Sequence, residues 1–266
     1  MTKLLRLMPT DDDLWVMAAR RAADAGDMAG ARSMFIRGCR FCVTSGVVWI
    51  EYARCEMENL RNALKNNEKK PKALPAAPAD EEIIEMADDD EDEMVDEDGV
   101  ITSYDEAGTE LAKTLPEDDT LALQKAKATD GSIPQAIFDI ACKQKFFTAG
   151  VAESFFAVFG SFADLDVGSS LLQHVLDVVE KLFPASATAC AAYVRQPVMA
   201  ISPLTPDFPR ALREFLSRLK SAKNSTSDLA GLQDKIDAWV DEMLAVKEVD
   251  SDIRLVLEHT RGIRDG

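Results

Sequence analysis

The feature that most constrains this chain is a self-similarity near its start. When Trp15 is laid on Trp49, a shift of 34 residues, Leu14 meets Val48, Val16 meets Ile50 and Ala19 meets Ala53. The charges fall in phase as well, with Arg20 on Arg54, Lys3 on Arg37 and Arg6 on Arg40. A period of that size marks stacked helix pairs, because one pair cannot cover its own apolar face and must bury it on the next. The chain is therefore expected to be all-α.

Within each unit the spacing is helical. Ala31, Phe35 and Gly38 follow Trp15 by sixteen, twenty and twenty-three residues, offsets that resemble the tetratricopeptide pattern. Ala19 and Ala22 depart from it, standing where that motif has Gly and Tyr. The second copy places Tyr52 three residues and Glu56 seven residues after Trp49, which resembles the half-a-TPR (HAT) repeat. Side chains three and four apart share a helical face, so Trp15, Phe35, Trp49 and Tyr52 are expected in the core between helices.

The same register returns late in the chain. Phe156 lies 34 residues before Cys190, Phe159 and Tyr193 hold the aromatic place three residues on, and Leu172, Leu176 and Pro184 stand at the offsets of Ala31, Phe35 and Val43. Phe156 and Tyr193 are accordingly expected as core too. Four stretches follow: HAT repeats over 1–65, starting inside a repeat; an acidic, largely disordered insertion over 66–128; HAT-like repeats over 129–222; and capping helices over 223–266. The expected fold is a HAT/TPR-like helical-repeat solenoid interrupted by the insertion.

Charge is concentrated in that insertion. Residues 80–119 hold nineteen Asp or Glu against the single Lys113, whereas the rest of the chain carries 29 basic and 28 acidic residues. The net charge of -17 therefore describes one segment, and it neither favours nor excludes nucleic-acid binding by the folded part. The insertion reads as a solvated spacer, or else as an acidic tail for basic partners.

Nearly half of the residues are apolar, yet the sequence has no run of eighteen that could span a bilayer. The start, MTKLLRLMPTDDD, lacks the apolar stretch of a secretory signal, so a soluble, intracellular chain with reduced thiols is expected. Cys39 and Cys42 form a CxxC, but a zinc site needs two further ligands at matching spacing, and Cys55, His174 and His259 do not supply them. The sequence contains no phosphate-binding GxxxxGK[ST], HExxH or GxSxG. Hence no enzyme activity, metal, cofactor, membrane or small-molecule substrate is expected.

LWVMAARRAADAGDMAGARSMFIRGCRF followed by VWIEYARCEME resembles the central repeats of the U3 small nucleolar RNA-associated family of HAT proteins, in the order Trp, paired alanines, ARxxFxRGxRF, Trp and Glu-Tyr. The resemblance covers about 50 residues. It implies a non-catalytic scaffold in the nucleus and nucleolus, a subunit of the UTP-B module of the small-subunit processome. Its implied partners are WD40-propeller subunits near U3 RNA and the 5' external transcribed spacer, and its implied role is in making 18S ribosomal RNA. The alternative is a HAT-repeat scaffold that binds RNA or serves pre-mRNA splicing or mRNA 3'-end cleavage. For RNA, the in-phase Arg20, Arg37, Arg40 and Arg54 are the candidate contacts, although Asp24, Glu51, Glu56 and Glu58 stand on adjoining helices to pair with them.

The insertion generates the first test. With residues 66–128 replaced by a short Gly/Ser linker, the melting temperature and the far-UV helicity per folded residue should stay unchanged. A large fall in either would mean that the insertion packs.

Overall fold

The computed structural model describes residues 2–69, 130–199 and 201–262, and every regular element among them is a helix. In order these are α1 (Thr2–Leu7), α2 (Asp12–Asp24), α3 (Met28–Phe41), α4 (Val47–Lys69), α5 (Ser132–Ala141), α6 (Ala149–Gly160), α7 (Asp166–Leu182), α8 (Ala187–Arg195), α9 (Phe208–Ser225), α10 (Leu229–Leu244) and α11 (Ser251–Gly262). A single 3-10 turn, Gln196–Val198, follows α8.

The helix ends follow from local chemistry. Asp11 accepts a hydrogen bond from Leu14 N at 3.1 Å to open α2, and Asp27 accepts one from Gly30 N at 2.7 Å to open α3. Thr148, Ser186 and Asp228 cap α6, α8 and α10 in the same way. Each satisfies a backbone donor that the helix itself leaves free. Gly26, at φ +85°, supplies the left-handed residue that turns α2 into α3.

Helices α2, α4, α6 and α8 pack each on the next, and α3, α5, α7 and α9 pack on α2, α4, α6 and α8 respectively. The result is a succession of helix pairs, with α10 laid on α8 and α11 on α10. Gly38 shows how close the approach is. A Cβ added there would stand 2.9 Å from Trp15 Cβ and 3.0 Å from Val48 Cγ1, so α3 reaches the neighbouring helices only without a side chain at that point.

Two boundaries differ from those expected. Helix α4 continues through Lys69, beyond the expected end of the first repeats at residue 65; the remainder of the acidic insertion lies outside the described residues. Moreover α5 packs on α4 as α3 packs on α2, so residues 70–131 stand in sequence between the two helices of one packed pair. The apolar interior is parted along α8: Ala192 belongs to a cluster reaching from Leu5, whereas Ala187, Cys190, Ala191 and Val194 join a second that reaches Leu257. Residue 223, the expected start of the capping helices, lies inside α9.

The large rings sit at the helix contacts. Trp15 stacks on Phe41 with centroids 5.6 Å apart, Phe35 on Tyr52 at 4.9 Å, and Trp49 meets Phe146 at 6.3 Å. Trp15, Phe35, Trp49, Tyr52 and Phe156 are all buried. Tyr193 is not: 47% of it is exposed, whereas Phe159 is fully enclosed. The neighbours Ala191, Ala192 and Val194 take the buried sides of the short α8, which leaves Tyr193 on the outer face, its ring 4.6 Å from the Arg218 guanidinium.

Trp15 Nε1 donates to Pro9 O at 2.8 Å, whereas Trp49 Nε1 is enclosed without a partner. Trp49→Ala should cost ~3–5 kcal/mol, as large-to-small core changes do. Trp49→Phe should cost less than Trp15→Phe by ~1 kcal/mol, the net worth of the hydrogen bond that only Trp15 makes. Urea titrations of the three variants read both numbers.

Candidate interaction surfaces

Helices α2 and α4 bring the in-phase Arg20 and Arg54 to one carboxylate. Arg20 donates to Glu51 Oε2 through Nη2 at 2.6 Å and Nε at 3.0 Å, and Arg54 Nε donates to Glu51 Oε1 at 3.1 Å. Glu58 lies 3.5 Å from Arg20 Nη1. Burial works against the Arg20 charge, but the hydrogen bond and charge of Glu51, with Glu58 beyond it, outweigh that cost and hold its pKa above the ordinary value. Both arginines are thus engaged within the fold.

Arg37 and Arg40 differ. They lie three residues apart on α3, Arg37 exposed and Arg40 half-buried, with Arg40 Nε enclosed and lacking a hydrogen-bond partner. Neither joins Arg20 and Arg54 at Glu51. The four candidates therefore divide into an internally paired couple and a couple with no acidic partner among the described residues.

Glu56 is 2% exposed, and Arg32 holds it with paired hydrogen bonds of 2.7 and 2.9 Å. The hydrogen bonds to Glu56 are the main reason the Arg32 charge stays favourable and its pKa is raised. The side-by-side geometry of Arg and carboxylate gives two parallel charge-assisted bonds. Sequence reading gave Glu56 to the arginines without naming Arg32; the signal was its place twenty-four residues upstream on the second helix of the pair. Farther along, Arg61 of α4 pairs with Asp164 and lies 4.3 Å over the Phe162 ring, and Glu153 of α6 draws in Arg195 and Lys235. Charges thus tie successive pairs together along the stack.

Burial, with the nearby Asp12 and Asp11 adding to it, pushes the Cys42 thiol up to about 11. It raises Cys39 well above its usual value, and Cys55 to about 11. Thiols held protonated are poor nucleophiles and poor ligands. Among the described residues, potential metal-ligand atoms converge at Asp11, Asp12 and Asp13. There Asp11 caps α2, and Asp12 accepts from Ser45 Oγ at 2.6 Å. The Asp11 and Asp12 carboxylates thus already serve the fold.

Two clefts open beside α9. One, of about 430 Å³, is walled by Leu176 and Glu180 of α7, Cys190 and Tyr193 of α8, and Ser221 and Ser225 of α9. The larger, of about 770 Å³, lies between α9, the Pro203–Pro206 segment and α11. Both clefts thus share α9 as a wall. No protein-family model matches the chain, and none of the curated proteins matches it.

The buried ion pair separates structural from surface charge. Arg32→Ala leaves Glu56 enclosed and unpaired and should lower stability by ~3 kcal/mol, while Glu58→Ala should change it by no more than ~0.5 kcal/mol. Thermal melts of the two variants would show the contrast, and equal melting temperatures would contradict it.

Proposed function

We propose that this chain is a HAT-type helical-repeat scaffold of the small-subunit processome. In this reading it is a counterpart of the U3 small nucleolar RNA-associated protein 6, holding WD40-propeller subunits of the UTP-B module together in the nucleolus. The observation that carries the reading is the recurring unit in which Trp49, Tyr52 and Glu56 share a buried face, in a stretch worded like that family's repeats. The succession of helix pairs supports a solenoid, whose rigid grooves suit extended or helical partner segments. Composition supports the acidic insertion as a solvated spacer.

The contacts are mainly protein to protein. Glu51, with Glu58 beside it, balances Arg20 and Arg54, and the chain outside residues 80–119 is near charge balance. A second reading, direct contact with U3 or 5' spacer RNA, has Arg37 and Arg40 in its favour.

Affinity capture of the tagged full chain, followed by mass spectrometry, should recover UTP-B subunits; splicing or 3'-end factors would overturn the assignment. Binding to those subunits should survive a rise from about 50 to 200 mM salt with modest loss, whereas RNA binding by the chain alone should be weak and fall steeply, since each phosphate contact steepens the slope. Tight RNA binding without a protein partner would put the second reading first.

A further inference from the structure

The larger cleft has an apolar floor of Leu212 and Leu216 from α9 and Ile253 and Val256 from α11, with Leu204 on the proline-rich wall. Leu204 is 56% exposed. A cleft of about 770 Å³ matches the roughly 300–1,000 Å³ of small-molecule pockets, room for a few apolar side chains. Its two helical walls carry opposite charge, but only one of them is compensated.

On the α11 side, Asp250 accepts from Asp252 N at 2.8 Å and from Ile253 N at 3.4 Å. Asp252 stands in the first helical turn. Both carboxylates are thereby stabilised by the positive helix end; Glu248 completes that rim. On the α9 side the situation is reversed. Arg210 and Arg213 occupy the opening turns of α9, which has no acidic residue in its first turn and an N-cap, Asp207, whose side chain caps nothing. Cations at that end are disfavoured by the helix dipole. Arg213 lines the cleft and forms no ion pair among the described residues, nor do Arg210, Lys220 and Lys223 elsewhere on α9, and Glu214 is taken by Arg218.

We propose that this cleft receives an amphipathic helical segment of a partner protein, with apolar residues at i, i+3, i+4 and i+7 on the floor and carboxylates along the flank that meets α9. Apolar anchors supply affinity and the uncompensated Arg213 sets direction and register. RNA fits less well, since no aromatic ring lines the cleft for bases to stack on. The inference rests on the scaffold reading only in expecting a protein as the occupant.

The test is selection from a phage-displayed library of random peptides about 16 residues long, some four helical turns, on the immobilised full chain. A synthetic copy of the winning peptide is then titrated by fluorescence anisotropy. Winners should show the apolar spacing with Asp or Glu beside it. Leu204→Asp and Arg213→Glu, both at exposed positions, should each weaken binding at least tenfold, and a peptide with Lys in place of the facing carboxylate should regain affinity for Arg213→Glu. Several results overturn the proposal: no enrichment, equal binding to the variants, binding indifferent to the apolar residues, displacement by single-stranded oligouridine, or a chain dimer abolished by Leu204→Asp. Because the selection uses the chain alone, its failure leaves the capture of UTP-B subunits standing, and capture of other factors leaves the cleft result standing.

Discussion

Everything on the amino-terminal side of the molecule depends on α4 being enclosed. It packs on α2, α3, α5 and α6, and Val48, Trp49, Tyr52, Ala53, Cys55, Glu56, Met57 and Leu60 are all buried. These residues cover more than a single stripe, so α4 behaves as an interior helix and not as a surface one. Trp49 reaches across to Phe146, in the turn between α5 and α6, and a Cβ at Gly46 would stand 3.1 Å from Val151. Enclosure also explains Arg32. A carboxylate carried inside on such a helix needs a cation, and the nearest second helix supplies it.

The legible part of the fold was the part encoded in tandem. Trp15 and Trp49 sit in consecutive units with nothing between them, so one shift aligned faces, caps and turns together. The pairing of α5 with α4 was harder to read, because the insertion moves its register by 103 residues. Phe138, Ala141, Cys142 and Lys143 stand at that distance from Phe35, Gly38, Cys39 and Arg40, and Phe138 and Ala141 are buried as Phe35 and Gly38 are. Tyr193 misled for a different reason. Equal spacing places a residue on a face only while the helix keeps the same neighbours, and α8 gives its buried sides to two clusters at once.

Charge was legible only as position. In-phase spacing put Arg20 with Arg54, and three-residue spacing put Arg37 beside Arg40, but neither could say which pair meets an acid. Glu51 settled that for the first couple because it lies on α4, three residues from Arg54 and opposite α2. The second couple lies on α3, where no carboxylate among the described residues reaches it. The surface cations of α9 follow the same rule: only Arg218 has a carboxylate at i−4, and it alone is neutralised within the helix.

Splitting a helix pair with an insertion looks costly but is not. Three residues join α2 to α3, whereas 62 lie between α4 and α5. Closure entropy rises by only about 0.6 kcal/mol for each doubling of length, so four to five doublings add roughly 2.5 kcal/mol. Against that, Ile137, Phe138 and Ile140 of α5 are 2% exposed or less, and each such side chain contributes about 1.5–3 kcal/mol when removed from water. The pair therefore closes across the insertion with margin to spare. That margin lies in the apolar face of α5, so this helix determines whether α4 keeps its partner.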